Sequence, residues 1–317
     1  MRDISRKIVT QRSAIAWAEL FCSPATIQRI HAHQIPKGDP LEVSKVAAIQ
    51  AAKQTPQILP YCHSVGLDFV GVEFRLGTDR IEVEVTVKAI DQTGVEMEAL
   101  TAASVAVLNL YDMLKMLDDT MAIGGVKLLA KRGGKSDRRS GFAQGLRAAV
   151  VVISDSVAAG EKEDMSGRLI CERLQEEGLE LADYRVVSDD PEEIDGCLRH
   201  YADQARVNLV LTTGGTGFGP RDNTPEVMGR LIEREAAGIV EAARAYGQAR
   251  TPHSMLSRGR AGIRGNTLIV NLPGSRGGVA ESLDALLPGM LHAFKMLRGE
   301  GHDEEHPRDG RRGSADS

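Results

Sequence analysis

The chain is poor in cysteine and has no long apolar run. Its four cysteines are scattered along 317 residues, and none has the CxxC spacing of a zinc or dithiol motif. This argues for a reducing compartment and against disulfides or a zinc site. No apolar run approaches the length that spans a membrane, and residues 1–13 contain no apolar core of a signal peptide.

Dense positive charge is absent as well. The net charge is −5, and no block of lysine and arginine inside the regions with a folded pattern could follow a nucleic-acid backbone. We therefore expect a cytoplasmic protein that binds neither membranes nor nucleic acids.

The chain is long enough for two domains. Its 42% hydrophobic and 26% charged residues are typical of soluble globular domains that each bury a core. The stretch 132–147 is polar, glycine-rich and without periodicity. Residues 299–317 contain one alanine as their only apolar side chain. We predict a first domain over 1–135, a linker over 136–147, a second domain over 148–298 and a disordered tail over 299–317.

The first half has the pattern of an α+β domain. Residues 68–76 and 80–90 alternate apolar and polar side chains on either side of Gly77-Thr78-Asp79, which predicts an antiparallel hairpin with one buried face. Helices are predicted from Ser23-Pro24 to about residue 33, over 41–54 with Pro56 ending the helix, and over 98–117. We predict an antiparallel sheet with helices on one face.

The second half alternates strands and helices. Apolar runs over 148–153, 184–187 and 207–213 predict strands, and helices are expected over 166–177 and after Asp190. This order predicts a doubly wound α/β sheet, in which ligands bind beyond the carboxyl ends of the strands.

A glycine-rich stretch follows the strand at 207–213. Four glycines within positions 214–219 precede Thr224-Pro225-Glu226, which has the order of an N-cap, a first-turn proline and a first-turn acid. This pattern is typical of a phosphate site and equally of a tight turn, and it matches neither GxxxxGK[ST] nor GxGxxG. Asp222 would repel a phosphate unless a divalent cation lay between them. We therefore interpret the stretch as a Mg²⁺-dependent nucleotide site.

Acidic residues in the first half are ambiguous by spacing alone. Asp112 and Lys115 share a helix face, which fits a catalytic pair and also an ordinary surface ion pair. Glu96 and Glu98 are expected in an extended stretch, where residues two apart share a face. Two like charges on one face raise a carboxylate pKa, although solvated acids at a strand end are commoner.

Motifs through the first 135 residues resemble the cyclic pyranopterin monophosphate synthase family. They are MRDIS at the N-terminus, Thr10-x-Arg12, PKGDP at 36–40, AAIQAAK at 47–53, YCH at 61–63, TGVEMEALTAASVA at 93–106, YDMLK at 111–115 and LLAKRGGKS at 128–136. The resemblance implies conversion of a 3′,8-cyclised dihydroguanosine triphosphate into cyclic pyranopterin monophosphate, with release of pyrophosphate.

The same resemblance implies roles for individual residues. It assigns catalysis to Asp112, Lys115, Lys37 and Lys131. The positions implied to bind substrate are Arg12, Tyr61, Cys62, His63, Glu96, Met97 and Glu98. Lysines and an arginine suit a triphosphate, and pyrophosphate loss needs positioned acids and bases.

Motifs over 148–298 resemble the molybdopterin adenylyltransferase family. They are ISDS at 153–156, Asp164 with Ser166-Gly167, VSDD at 187–190, TTGGTG at 212–217, RDNTPE at 221–226, LSR at 256–258 and NLPGS at 271–275. The resemblance implies transfer of AMP from ATP to molybdopterin with Mg²⁺. It assigns Asp222 to catalysis, and Asp222 and Asp189 to the metal, with Asp190 adjacent. Nucleotide and pterin binding fall on Asp155, Ser156, Asp189, Gly214, Gly215, Thr216, Gly217, Thr224 and Ser275.

Two expectations concern the whole protein. The preferred hypothesis is a bifunctional enzyme of molybdenum cofactor biosynthesis, and the alternative is an active synthase whose second domain only binds pterin or supports assembly. Both resemblances imply three-fold assemblies, so we expect a homo-oligomer, either a hexamer or a trimer. In such an assembly, Lys37 or Arg12 of a neighbouring subunit is expected to complete the site around Asp112.

Overall fold

The computed structural model describes residues 1–134 and 143–299, which form two compact units. Most of the predicted linker and nearly all of the predicted tail lie outside the described residues. Within the described ranges, no helix is long and apolar enough to cross a membrane. All four cysteines are free.

The first unit is an antiparallel sheet with helices on one face, and the predicted α+β fold is confirmed. Its elements are β1 (Thr10–Phe21), α1 (Pro24–His31), α2 (Pro40–Ile58), β2 (Phe69–Leu76), β3 (Arg80–Asp91), α3 (Glu96–Leu114) and β4 (Ala122–Arg132). The strand order is β2-β3-β1-β4. Helix α3 packs on strands β1, β3 and β4, and α2 packs on α3.

Two of the four strands were not predicted. In β1, the buried apolar positions are Ala14, Ala16, Ala18 and Leu20, so mostly small side chains carry the alternation and the periodic signal is weak. Strand β4 is exposed along most of its length and lies at an edge of the sheet, so it has no buried face to mark in the sequence.

Helices α2 and α3 have other boundaries than predicted, and α3 ends at Leu114 rather than at residue 117. Helix α2 continues through Pro56 to Ile58, because a proline this close to a helix end removes only one backbone hydrogen bond, and the Leu59 N–H still reaches the Thr55 carbonyl at 2.9 Å. Helix α3 starts at Glu96, so the prediction of an extended stretch for Glu96 and Glu98 is wrong. Acidic residues are favoured in a first helical turn, and residues two apart on a helix point in different directions.

The second unit is a six-stranded sheet with helices on both faces, which confirms the predicted α/β fold. Its strands are β5 (Arg147–Ile153), β6 (Glu180–Val187), β7 (Leu209–Thr213), β8 (Arg234–Glu235), β9 (Ala261–Arg264) and β10 (Thr267–Leu272). The helices are α4 (Asp155–Ala158), α5 (Ser166–Glu176), α6 (Pro191–Arg199), α7 (Thr224–Leu231), α8 (Ala237–Gln248), α9 (Arg276–Met290) and α10 (Ala293–Leu297). A π-helical turn covers His200–Gln204, and a 3₁₀ turn covers Pro252–Leu256.

The strand order is β6-β5-β7-β10-β9-β8. Strands β6, β5, β7 and β10 are parallel, β9 is antiparallel to β10, and β8 is antiparallel to β9. Helices α5 and α9 bury their apolar side chains on one face of the sheet, and α6 and α7 bury theirs on the other. The carboxyl ends of the parallel strands therefore meet at one edge, where the predicted site residues of this unit lie.

Candidate functional sites

In the first unit, Asp112 lies between two lysines at the end of α3. The Nζ atom of Lys115 is 2.7 Å from one carboxylate oxygen, and the Nζ atom of Lys37 is 3.0 Å from the other. Lys37 also donates to the Asp112 carbonyl at 2.8 Å. Hydrogen bonds and charge from Lys115 and then from Lys37 lower the pKa of Asp112, so the carboxylate stays ionised.

The backbone ahead of α2 brings Lys37 to this position. Gly38 has a φ of +92°, and Asp39 then caps α2 by accepting from the Leu41 and Glu42 N–H groups. Lys37 of the same chain thus reaches Asp112, so the expectation of a neighbouring subunit's Lys37 is not required by the geometry. More than half of the Asp112 side chain is exposed, at 55%, which leaves room for a substrate.

A second group lies at the start of α3. The Cys62 thiol donates to Glu98 Oε1 at 3.3 Å, whereas Glu98 Oε2 is buried and has no hydrogen-bond partner within the described residues. Burial raises the pKa of Glu98 and raises that of the Cys62 thiol to about 11. Lys131 contacts Glu96 at 3.4 Å. This end of the helix therefore holds a carboxyl group that binds its proton more firmly than an exposed glutamate does.

The remaining predicted substrate residues differ in accessibility. Arg12 is buried, and it donates to the carbonyls of Asp91 and Gln92 at 3.1 Å each, which fixes the turn before α3. His63 Nε2 is 2.9 Å from the Arg2 carbonyl. Tyr61 and Met97 are exposed.

One chain does not bring these two groups together. Glu98 and Asp112 are separated by 14 positions on α3 (112 − 98), which is about 21 Å along the helix axis at 1.5 Å per residue. The start of α3 holds Glu96 and Glu98 together with Arg12, Cys62 and Lys131. The end of α3 holds Asp112 and Lys115 together with Lys37. The residues implied by the synthase resemblance therefore form two half-sites on each chain.

In the second unit, the glycine stretch forms a tight loop after β7. Gly214 and Gly215 have φ values of +106° and +62°, and a Cβ built on Gly214 would overlap the Ile153 carbonyl oxygen. Helix α7 begins at Thr224, so the prediction of Thr224 as the N-cap is wrong by one residue. The Thr224 hydroxyl donates to the Gly214 carbonyl at 3.2 Å and so connects the helix start to the loop.

Three aspartates gather beside this loop. The Asp155 N–H donates to the Asp189 carboxylate, and the Asp189 N–H donates to the Asp155 carboxylate, each at 3.0 Å. Arg221 is 2.8 Å from the Asp155 carboxylate. Burial, and then the negative charges of Asp155 and Asp222, raise the pKa of Asp189.

Two neighbouring acids have structural partners. Asp190 caps α6 by accepting from the Glu192 and Glu193 N–H groups. Asp164 accepts from the first turn of α5 and from the Tyr184 hydroxyl, at 2.7 Å. Of the two adjacent acids, Asp189 directs its carboxylate at the start of α4, where Asp155 lies, and Asp190 directs its carboxylate at α6.

A cavity of about 540 Å³ opens on the other side of the loop. Gly215, Thr216, Gly217 and Asp222 form one wall, and the start of α9 with Ser275 forms another. The Ser275 hydroxyl caps α9 by accepting from the Gly278 N–H at 3.2 Å. This volume is typical of small-molecule sites. Asp155, Ser156, Asp189 and Thr224 are not among its lining residues.

The acids fit Mg²⁺ only as an incomplete ligand set. No group of three metal-ligating side chains occurs within residues 1–134 and 143–299. Mg²⁺ usually takes one or two carboxylates and completes its shell with water and substrate phosphates. Such an ion would take Asp222 and Asp189 as its carboxylate ligands and would complete its shell with water and the phosphates of a bound nucleotide.

Sequence reasoning missed the arginines of this site. Arg221 opens the motif RDNTPE and Arg258 ends the motif LSR, but the sequence alone indicates no role for either arginine. Arg258 contacts Gly217, which lies 41 positions away in the sequence, and no local sequence pattern predicts a contact over that separation.

Comparison with known proteins covers both units. Residues 1–134 match the MoaC family, and residues 149–293 match a family described as a probable molybdopterin binding domain. The molybdenum cofactor biosynthesis bifunctional protein of Chlorobaculum tepidum is 40% identical over 302 residues, covering 95% of this chain and 96% of the relative.

Relatives of single units also match. The cyclic pyranopterin monophosphate synthase of Aquifex aeolicus is 49% identical over 135 residues, covering 43% of this chain and 53% of the relative. The crystal structure of the molybdopterin biosynthesis enzyme MoaB of Thermus thermophilus matches with a TM-score of 0.46 and 44% identity, covering 49% of this chain and 97% of that one.

Proposed function

We propose that the two units of this chain carry two pyrophosphate-releasing activities, since the chain belongs to the family of molybdenum cofactor biosynthesis bifunctional proteins. The first converts (8S)-3′,8-cyclo-7,8-dihydroguanosine 5′-triphosphate into cyclic pyranopterin monophosphate. The second transfers AMP from ATP to molybdopterin. The relation to a bifunctional protein over 95% of the chain is the observation that carries this proposal.

In the synthase, the two half-sites supply different chemistry. Lys37 and Lys115 offer ammonium donors to the triphosphate, and the ionised Asp112 accepts a proton from the substrate. Glu98 holds its proton more firmly than an ordinary glutamate, which suits a proton donor, and the Cys62 thiol orients it. Glu96 holds Lys131 at the same end.

A substrate would meet both half-sites between two chains. The separation of about 21 Å on α3 supports this arrangement, because one reacting centre cannot touch both ends of the helix. Strand β4 also leaves an unpaired edge with exposed Ile123, Val126, Leu128 and Leu129, which is suited to association with another copy. We propose a three-fold homo-oligomer, a hexamer or a trimer.

In the second unit, the glycine loop and the cavity would bind ATP and molybdopterin. Loop N–H groups and the start of α9 favour phosphate. Arg221 adds a positive charge next to Asp155. Asp222 and Asp189 would hold Mg²⁺, which neutralises charge on the phosphates when it is bound. Gly214, Gly215 and Thr224 fix the loop so that these groups are in place before substrate arrives.

A pterin-binding module without catalysis is the second candidate. It draws support from Arg221, which neutralises Asp155 in this structure, and from the incomplete metal group within the described residues. Incubation of the purified chain with molybdopterin, ATP and Mg²⁺ separates the two. The proposed enzyme yields adenylylated molybdopterin and pyrophosphate, whereas a binding module retains pterin and forms neither product.

A further inference from the structure

Arg258 contacts the glycine loop at both of its ends. Its Nε donates to the Gly217 carbonyl at 2.7 Å, and its Nη2 donates to the Asp222 carbonyl at 2.6 Å. The Arg258 N–H donates to the Thr216 carbonyl at 2.9 Å, and Nη1 pairs with Glu226 in the first turn of α7. One residue, through its backbone N–H and its guanidinium, thus joins both parts of the loop and the helix that follows.

The loop in turn fixes the carboxylate of Asp222. The Gly219 N–H donates to Asp222 Oδ2 at 2.7 Å. A Cβ built on Gly219 would come within 2.7 Å of the same oxygen, and one on Gly217 within 2.9 Å, so the missing side chains leave this space to the carboxylate. The place of the Asp222 carboxylate therefore depends on the loop conformation that Arg258 holds.

An arginine is suited to this role and a lysine is not. The planar guanidinium donates in several fixed directions, which is how it reaches two backbone carbonyls and a carboxylate at once. A lysine keeps the charge beside Glu226, but its donors all lie on one nitrogen, so it cannot reproduce the planar fork that reaches Gly217, Asp222 and Glu226 at once.

We propose that Arg258 is a positioning residue that sets the Asp222 carboxylate for nucleotide binding and adenylyl transfer. This inference rests on the proposed function of the second unit. Arg258 acts through the loop: its side chain contacts Gly217, Phe218, Asp222 and Glu226, and it does not line the cavity that the loop borders.

The first test measures the loop without any ligand. Amide hydrogen exchange across residues 216–223 is compared in the wild type, Arg258→Met, Arg258→Lys and the matched control Arg260→Met. Arg260 is two positions away, has similar exposure and pairs with Glu235 away from the loop. We expect faster exchange in this segment for both Arg258 variants and wild-type exchange for Arg260→Met. Unchanged exchange in Arg258→Met overturns the inference.

The second test measures coupling to Asp222. Calorimetric titration with ATP and Mg²⁺, and adenylyl transfer over a range of Mg²⁺ concentrations, are compared in the same variants. Loss of an outer-shell partner predicts about a 10- to 100-fold loss of Mg²⁺-dependent affinity or rate in Arg258→Met. Since Arg258 acts through Asp222, Arg258→Met combined with Asp222→Asn should be no worse than Asp222→Asn alone, and losses that multiply would contradict this.

These arms also separate the inference from the function on which it rests. If the wild type binds ATP with Mg²⁺ but forms no adenylylated product, the proposed catalysis fails, and exchange and binding still decide the role of Arg258. If Arg258→Met loses thermal stability, Arg258→Lys at a permissive temperature supplies the same comparison. Rescue of loop protection and affinity by lysine would count against a positioning role.

Discussion

The two sites of this chain hold their aspartates in opposite ways. Asp112 is exposed and is held by the side chains of two lysines, while Asp222 is held by the backbone of a glycine loop. The first carboxylate therefore depends on mobile ammonium groups that a triphosphate can recruit. The second depends on backbone geometry that glycine alone permits, so it is set before any ligand arrives.

The sites also differ in how much of each one chain supplies. The second unit gathers the loop, Asp155, Asp189 and Asp222 at one sheet edge, so a single chain contains every proposed group. The first unit divides its groups between the two ends of α3. The comparison teaches that similar leaving-group chemistry does not require similar site construction.

The largest expected effect separates the two activities. Asp112→Asn should lower cyclic pyranopterin monophosphate formation by about 10²- to 10⁴-fold, the usual contribution of a positioned acid or base, and leave adenylyl transfer intact. Product formation by each unit is measured on the same purified chain. Asp119→Asn, a surface neighbour, is the matched control, and loss of both activities in a folded Asp112→Asn chain would break the separation.

The metal-side acids of the second unit should give a smaller loss. Asp222→Asn and Asp189→Asn should each reduce adenylyl transfer by about 10- to 100-fold while pterin affinity changes little. Asp190→Asn should behave as the wild type, because asparagine caps a helix as well as aspartate does. Turnover is measured at limiting Mg²⁺, and a defect in Asp190→Asn with a normal Asp189→Asn would reverse the assignment.

Backbone dependence of the loop can be tested with two glycines of positive φ. Gly160→Ala, at +74° in open space, should cost about 1–2 kcal/mol. Gly214→Ala, at +106°, meets at least that backbone penalty and also the Ile153 carbonyl, so about 1–3 kcal/mol more is expected from overpacking. Calorimetry of the second unit measures the difference, and equal losses would show that the loop is not held against β5.

The smallest effect concerns pH and the first unit. Burial raises the folded pKa of Glu98, so its contribution to stability is complete below the unfolded value near 4.5 and is lost as pH rises through the folded value. Glu98→Gln should therefore lose less stability than the wild type as pH rises from about 4.5. Denaturation followed by Trp17, the single tryptophan, reports on this unit, and parallel profiles would contradict the assignment.

Some of this architecture was readable from sequence. Alternating valines predicted the β2–β3 hairpin, and the positive-φ glycines marked the loop after β7. Strand β4 was missed because it buries almost nothing, and Glu96 and Glu98 were misplaced because the first turn of α3 has no side-chain cap.

Long-range geometry was not readable. Spacing on a helix gives the distance from Glu98 to Asp112 only after the helix start is known. The Arg258 contacts cross 41 positions, and the Arg221–Asp155 pair crosses 66, so neither leaves a local pattern. Motifs identified which residues matter, but folding decided which of them meet.

The division of the synthase site between chains is tested most directly by complementation. Asp112→Asn and Glu98→Gln chains carrying different tags are co-expressed, and the mixed oligomers are isolated by tandem purification. Each variant alone is expected to be inactive, while an equal mixture should recover activity in about a quarter of its sites, where the intact ends come from different chains. Mixed oligomers that remain inactive, or a fully active monomer by light scattering, would contradict a site shared between chains.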